Sequence, residues 1–192
     1  MSAYEFEKTS IDGLFKITPF IAPDDRGYLS KPFEKSIFAS HGIHMEVWEE
    51  LYSCSKRGVL RGMHFQRRYS QDKLVRVLYG AVYDVAVDLR KDSKTFGKWE
   101  SFLLTAENRK MAYIPKGFAH GFLALEENTL FSYICGDRYD PETEGGICWN
   151  DPQLAIEWPL EKIEKVTLSV KDAAHPTLEE FLKTHGPLET SL

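Results

Sequence analysis

Apolar and polar residues alternate along most of this chain in short runs rather than in helical stripes. Nine segments carry a two-residue period or a compact β-branched and aromatic run: 14–21 (LFKITPFI), 46–53 (EVWEELYS), 59–66 (VLRGMHFQ), 73–80 (KLVRVLYG), 81–90 (AVYDVAVDLR), 98–105 (KWESFLLT), 110–115 (KMAYIP), 120–125 (HGFLAL) and 129–135 (TLFSYIC). Alternation fits a strand with one wet face, and a short continuous apolar run fits a strand buried on both faces. Turn signals such as DDRG, SKRG, EEN and PETEGG separate the runs. Helix is scarce. Residues 35–42 (KSIFASHG) predict a short helix ended by Gly42. The tail 176–186 predicts a better one: Thr177 and Glu180 suit a capping box, Phe181 and Leu182 give an apolar side, and Gly186 suits the C′ position. About nine strands at close spacing predict an all-β sandwich or barrel. With no internal repeat or linker, residues 1–192 read as one domain.

Composition narrows the function classes. A net charge of −5 argues against wholesale nucleic-acid binding, but a local arginine cluster could still hold a small anion. No apolar run approaches a membrane-spanning length, and the opening MSAYEFEKTS lacks the apolar core of a signal peptide. Cys54, Cys135 and Cys148 are odd in number and lack CxxC spacing, which argues against a disulfide framework and a cysteine zinc site. The expectation is a soluble cytoplasmic protein with neither membrane nor nucleic-acid partners.

Four stretches could carry chemistry: DDRG (24–27) with Arg26, GVLRGMHFQ (58–66) with Arg61 and His64 followed by Lys73, YIPKGFAHGF (113–122) with His120, and the apolar, strand-like LSVKD (168–172) ending in Asp172. Each has a plainer reading. A lone strand histidine is more often packed than reactive, His120 could serve the Pro-x-Gly turn before it, and single arginines are mostly surface ion-pair partners. A metal site is testable by spacing. PKGFAH matches the Pro-x-Gly-x-x-His of a cupin second motif, but the first motif reads His64-Phe65-Gln66, with one histidine. Two histidines on separate strands without a carboxylate third ligand make a poor transition-metal site.

Together, LRGMHFQ, QDKLVRVLYGAVYDVAVDLRKDSKTFGKW, YIPKGFAHGF, the FSYIC that holds Tyr133, and ETEGGICWNDP resemble the dTDP-4-dehydrorhamnose 3,5-epimerase family over about residues 5–175. The resemblance implies a cupin-type double-stranded β-helix (jelly roll) with short peripheral helices and a C-terminal helix. It also implies a homodimer that exchanges N-terminal strands, no metal or other cofactor, and a nucleotide-diphosphate 4-keto sugar as substrate. By the same resemblance His64 is the general base and Asp172 its partner. Lys73 faces the developing oxyanion, and Tyr133 is the acid on the opposite face of the sugar. Arg26 and Arg61 hold the diphosphate, His120 lines the pocket, and Tyr139 lies near the base. Gln66 and Glu49 complete the expected substrate-binding set.

The chemistry of that set is coherent. A proton α to a ketone is removed only if the enolate is stabilised as it forms, which an ammonium can do. A histidine base works near neutral pH. Inversion needs a second donor on the other face. Arg61 and His64, three apart on one strand, point to opposite faces unless a bulge near Gly62 intervenes. The family pattern also breaks here: Leu29 and Lys31 replace an aromatic and a glutamate after DDRG, Glu49 and Leu51 replace Gln and Asn, Lys171 replaces an arginine, and the loop from His64 to Lys73 is short. The nucleotide and the number of centres inverted, C3, C5 or both, therefore stay open. So do a ketoisomerase of the same fold and a non-catalytic sugar-nucleotide binder.

Overall fold

The computed structural model describes residues 3–189. In chain order it has β1 (Glu5–Lys8), β2 (Phe15–Thr18), β3 (Phe20–Asp24), β4 (Gly27–Lys31), α1 (Lys35–Ser40), β5 (Glu49–Ser55), β6 (Leu60–Gln66), β7 (Lys73–Tyr79) and β8 (Ala81–Asp88). There follow β9 (Trp99–Thr105), β10 (Met111–Ile114), β11 (Phe118–Ala124), β12 (Thr129–Cys135), β13 (Glu144–Gly146), a 3-10 turn (Leu160–Lys162), α2 (Val170–Ala173) and α3 (Leu178–His185). A six-stranded sheet in the order β1-β2-β10-β7-β12-β5 faces a five-stranded sheet in the order β13-β6-β11-β8-β9. Every pairing within them is antiparallel, as in a jelly roll. The hairpin β3–β4 is a two-stranded ribbon that joins neither of these sheets among the described residues.

The central strands β7, β8, β10, β11 and β12 are largely covered on both faces, which explains their nearly continuous apolar sequences. Between them Val75 and Val77 of β7, Ala112 and Ile114 of β10, and Phe131 of β12 meet Val82 and Ala86 of β8 and Phe118 and Phe122 of β11. The alternate positions serve two outer cores. Val85, Val87, Ala119 and Leu123 turn outward beneath Ile147, Leu154, Trp158, Leu178 and Phe181 of the C-terminal segment. Leu74, Met111 and Tyr113 turn outward beneath Phe38, Ile43 and Met45, in and after α1. A one-residue slip would exchange these layers.

Several expectations need correction. Residues 168–172 do not form a strand. Ser169 caps α2, its hydroxyl accepting the Asp172 N–H at 3.0 Å. The run 14–21 divides at Pro19 into β2 and β3, and 46–53 becomes strand only from Glu49. β1, β4 and β13 were not anticipated, because each is short and carries charged or glycine residues. The C-terminal helix has the expected reciprocal capping box of Thr177 and Glu180, and Gly186 has φ +69°.

On β6 the pairing with β11 shifts between His120↔His64 and Phe122↔Arg61, so β6 holds one residue more than its partner. This is the bulge expected at Gly62, whose φ is +133°. Leu60, Met63 and Phe65 join the outer core, while Arg61, His64 and Gln66 reach the space between the sheets. A Cβ on Gly62 would lie 2.5 Å from the Gly121 Cα. We expect Gly62→Ala to cost at least about 1–3 kcal/mol in urea unfolding, from the backbone strain alone. Gly97→Ala, at φ +74° with open space around it, isolates the strain from the clash and should cost less.

Candidate active site

At one end of the sandwich the inward positions of the same strands stop being apolar. Along β7 the inward series Val77, Val75 ends in Lys73, and along β12 Phe131 is followed by Tyr133 and Cys135. Edge strand β5 adds Glu49, Leu51 and Ser53, and β6 adds Arg61, His64 and Gln66 from the opposite sheet. These residues, with Gln71, Tyr139 and Glu144, line a cavity of about 420 Å³. A larger surface cleft lies around Arg90, but its Arg90 and Ser93 side chains are committed to Asp88, which is buried and holds that turn.

His64 and Asp172 meet across 108 positions of sequence. The His64 Nε2 lies 2.8 Å from the Asp172 Oδ1, with the Asp172 side chain only 5% exposed and that of His64 30% exposed. Burial pushes the Asp172 carboxyl up, but the hydrogen bond and charge of His64, the Gly62 amide and the Ser169 hydroxyl together hold it below the ordinary value of 3.8. An ionised Asp172 requires the proton on Nε2 of the neutral ring, which leaves Nδ1 as the basic nitrogen.

Tyr133 stands on the facing sheet, its hydroxyl 3.3 Å from the Ser53 Oγ. Burial raises its pKa well above 10, against the opposing Ser53 hydrogen bond and Arg61 charge, so the phenol keeps its proton at neutral pH. Lys73 is pushed below the usual lysine range by burial, which Cys135, Glu144, Asp84 and Glu49 offset in part. An ammonium that is poorly solvated interacts strongly with any anion forming beside it. Arg61 donates from Nε to the Ser55 Oγ at 3.1 Å, and its guanidinium borders the cavity.

Other expected residues stand elsewhere or are already engaged. Arg26 lies on the exposed tip of the β3–β4 hairpin, 89% exposed and paired with Asp24, outside the cavity of its own chain. His120 lies behind the cavity wall rather than in it, buried with its Nε2 2.7 Å from the Asp84 Oδ2 and its ring edge-on to Tyr133. Gln66 borders the cavity, but its amide nitrogen donates to the Tyr69 and Arg138 carbonyls and its oxygen accepts from the Asp140 N–H, so it ties two loops together. Glu49 accepts from Gln71 at 2.9 Å. Tyr139 stands at the mouth, half exposed, donating to Glu144 at 2.6 Å. Glu144 also pairs with Lys171. Glu144, Gln71 and Ser53 received no role from the sequence, because nothing in a glycine-rich turn or an edge strand marks them. Only the pairing of Glu144 with Gln66, β13 on β6, brings it to the cavity.

The depressed Asp172 pKa makes a prediction with a definite sign. Its stabilisation is present above the unfolded value of 3.8 and fades as pH falls through the lower folded value. Asp172→Asn should therefore be less stable than wild type at about pH 6, and the gap should close in urea titrations as pH falls below the ordinary carboxylate value.

Comparison with known proteins agrees with this architecture. The family model for dTDP-4-dehydrorhamnose 3,5-epimerase matches residues 8–180. The chain is 46% identical over 180 residues to the dTDP-4-dehydrorhamnose 3,5-epimerase of Methanothermobacter thermautotrophicus, covering 94% of this chain and 97% of that one. It is 44% identical over 178 residues to the Escherichia coli K12 enzyme of the same name, covering 92% and 95%. Among solved structures, the Legionella pneumophila dTDP-6-deoxy-D-glucose-3,5-epimerase in complex with dTDP-4-keto-L-rhamnose superposes with a TM-score of 0.92 at 42% identity, over 99% of this chain and 100% of that one. By sequence and by fold, the chain belongs to the dTDP-4-dehydrorhamnose 3,5-epimerase family.

Proposed function

We propose that this protein inverts C3 and C5 of a dTDP-linked 4-keto-6-deoxyhexose, in deoxysugar biosynthesis. One observation carries the reading: a His–Asp pair and a protonated tyrosine enter the same cavity from opposite sheets, with a poorly solvated lysine on its wall. Binding alone needs neither a base nor an opposed acid.

In this reading the sugar lies between β6 and β12. His64 Nδ1 removes the proton α to the C4 ketone, and the imidazolium formed is stabilised by Asp172. Lys73 faces the C4 oxygen as charge builds on it, a contribution typically worth about 2.7–4 kcal/mol for one donor. Tyr133 returns a proton from the other side, and the ring carbon is inverted. The buried hydroxyl suits that task, since its raised pKa keeps it protonated until the enolate asks for the proton. Arg61 engages the diphosphate. Tyr139, at the mouth, contacts the base.

The second phosphate contact comes from another subunit in this reading. Arg26 sits on a ribbon that joins neither main sheet among the described residues and presents Tyr28 and Leu29, 53% and 63% exposed. A lone hairpin is marginal in water. Edge strand β5 and its approach expose Trp48, Leu51 and Tyr52. Apolar exposure of this kind supports a homodimer in which the ribbon crosses to the partner and carries Arg26 to its cavity. An exposed free thiol at Cys54 fits a reducing compartment, and we place the enzyme in the cytoplasm as one domain.

The test is proton NMR in D₂O with dTDP-4-keto-6-deoxyglucose, and with CDP and GDP analogues as comparison. Wild type should incorporate deuterium at C3 and C5 with inversion. His64→Asn should lose about 10²–10⁴-fold in exchange at both centres, and Lys73→Met about 10²–10³-fold in turnover. Tyr133→Phe should still exchange the proton on the His64 face but fail to invert. Folded protein that exchanges nothing would leave a binding role in place of the enzyme.

A further inference from the structure

One buried polar atom beside the base has no use in the reaction above. The His175 side chain is 8% exposed, and its Nε2 lacks a hydrogen-bond partner. It lies 3.6 Å from the Asp172 Oδ1, beyond a hydrogen bond, and its ring stands edge-on to His64 at 5.6 Å between centroids. Gly146, which pairs with His64 across β13 and β6, leaves room for this ring, since a Cβ there would lie 2.4 Å from the Nε2. A buried nitrogen without a partner is uncommon in native proteins, and an ion is one of the few things that satisfies it.

We propose that His64, Asp172 and His175 form a site for a divalent transition-metal ion, for which Zn²⁺ is the fitting probe, and that the ion inhibits the enzyme by taking the His64 Nε2, which moves the ring proton onto Nδ1 and leaves no basic nitrogen. One donor atom from each of the three lies within 4.8 Å of the other two. Zinc binds imidazole and carboxylate at about 2.0–2.2 Å, so tetrahedral neighbours stand about 3.3 Å apart. The two contacts to Asp172 Oδ1, 2.8 Å from His64 and 3.6 Å from His175, bracket that spacing. Two imidazoles and one carboxylate are a donor set that zinc accepts, with a fourth position left for water or substrate oxygen. Here that position opens to the cavity through His64, the most exposed of the three.

The pair considered from sequence, His64 with His120, lacks a third ligand, and the donor atoms that converge among the described residues are those of His64, Asp172 and His175. His175 supplies what was missing, three positions after Asp172 and folded back by the end of α2. The inhibitory part rests on His64 being the base, whereas the binding part does not.

Co²⁺ and Zn²⁺ separate the two. Wild-type protein titrated with Co²⁺ should develop the intense visible bands of a tetrahedral site at one ion per chain, and Zn²⁺ should displace them. His175→Ala should weaken binding at least about tenfold, since even outer-shell changes commonly cost 10–100-fold, while epimerisation without metal continues. Zn²⁺ should inhibit wild-type turnover, with reversal by a chelator, and inhibit His175→Ala at least about tenfold less. Absence of a one-to-one cobalt spectrum, or a spectrum unchanged in His175→Ala, overturns the site. A site that binds without inhibiting overturns the blocking role and, with it, the assignment of His64 as base.

Discussion

One extra residue in β6 holds the site together. Without the bulge at Gly62, the two-residue period of a strand would send Arg61 and His64 to opposite faces. With it, Leu60, Met63 and Phe65 remain in the outer core while Arg61, His64 and Gln66 all reach the cavity. The irregularity demands close backbone approach, and the facing residue is Gly121, whose own Cβ would lie 2.6 Å from the Met63 sulfur. Two glycines, in LRGMHF and FAHGF, therefore make one device. The imidazole and the guanidinium depend on it, and so does the reach of Asp172 to His64.

The cavity is the continuation of the core by other chemistry. Strands β7, β8, β11 and β12 are buried on both faces, and their inward residues form an apolar layer for most of its length. Toward the open end the same positions become Lys73, Tyr133 and Glu49 on one sheet and Arg61 and His64 on the other. Strand geometry spaces them, so opposed functional groups arise from opposed sheets without any dedicated loop. The second histidine–carboxylate pair, His120 with Asp84, lies inside that layer and braces the wall behind Tyr133. The apolar body of the sandwich also desolvates the groups at its end, which is why the Tyr133 and Lys73 pKa values move toward their neutral forms.

Much of this was legible in the chain. The strand runs from β6 to β12 follow from alternation and turn residues, the C-terminal helix from its capping box, and the bulge from the family resemblance, which put Arg61 and His64, three apart around a glycine, in one pocket. The family resemblance drew attention to His64, Lys73, Tyr133 and Asp172, whereas pattern alone left His64, Lys73 and Asp172 with a plainer structural reading and did not mark Tyr133. Short strands β1, β4 and β13 escaped because too few residues carry a period. The 168–172 segment was mistaken for strand because the Ser169 cap acts on the backbone, where composition is silent.

Taken alone, the sequence determined which stretches become strands and which faces are apolar, because both depend on neighbours a few residues away. Only the tertiary structure decided that Asp172 reaches His64, that Glu144 arrives at the mouth, that His120 turns to Asp84 while His175 turns to Asp172, and that Arg26 stands outside its own chain's cavity. Apart from His175 and Asp172, three positions apart, these placements join residues separated by tens to more than a hundred positions. Register, sheet order and the packing of the C-terminal segment set them, and no local period in the chain encodes these.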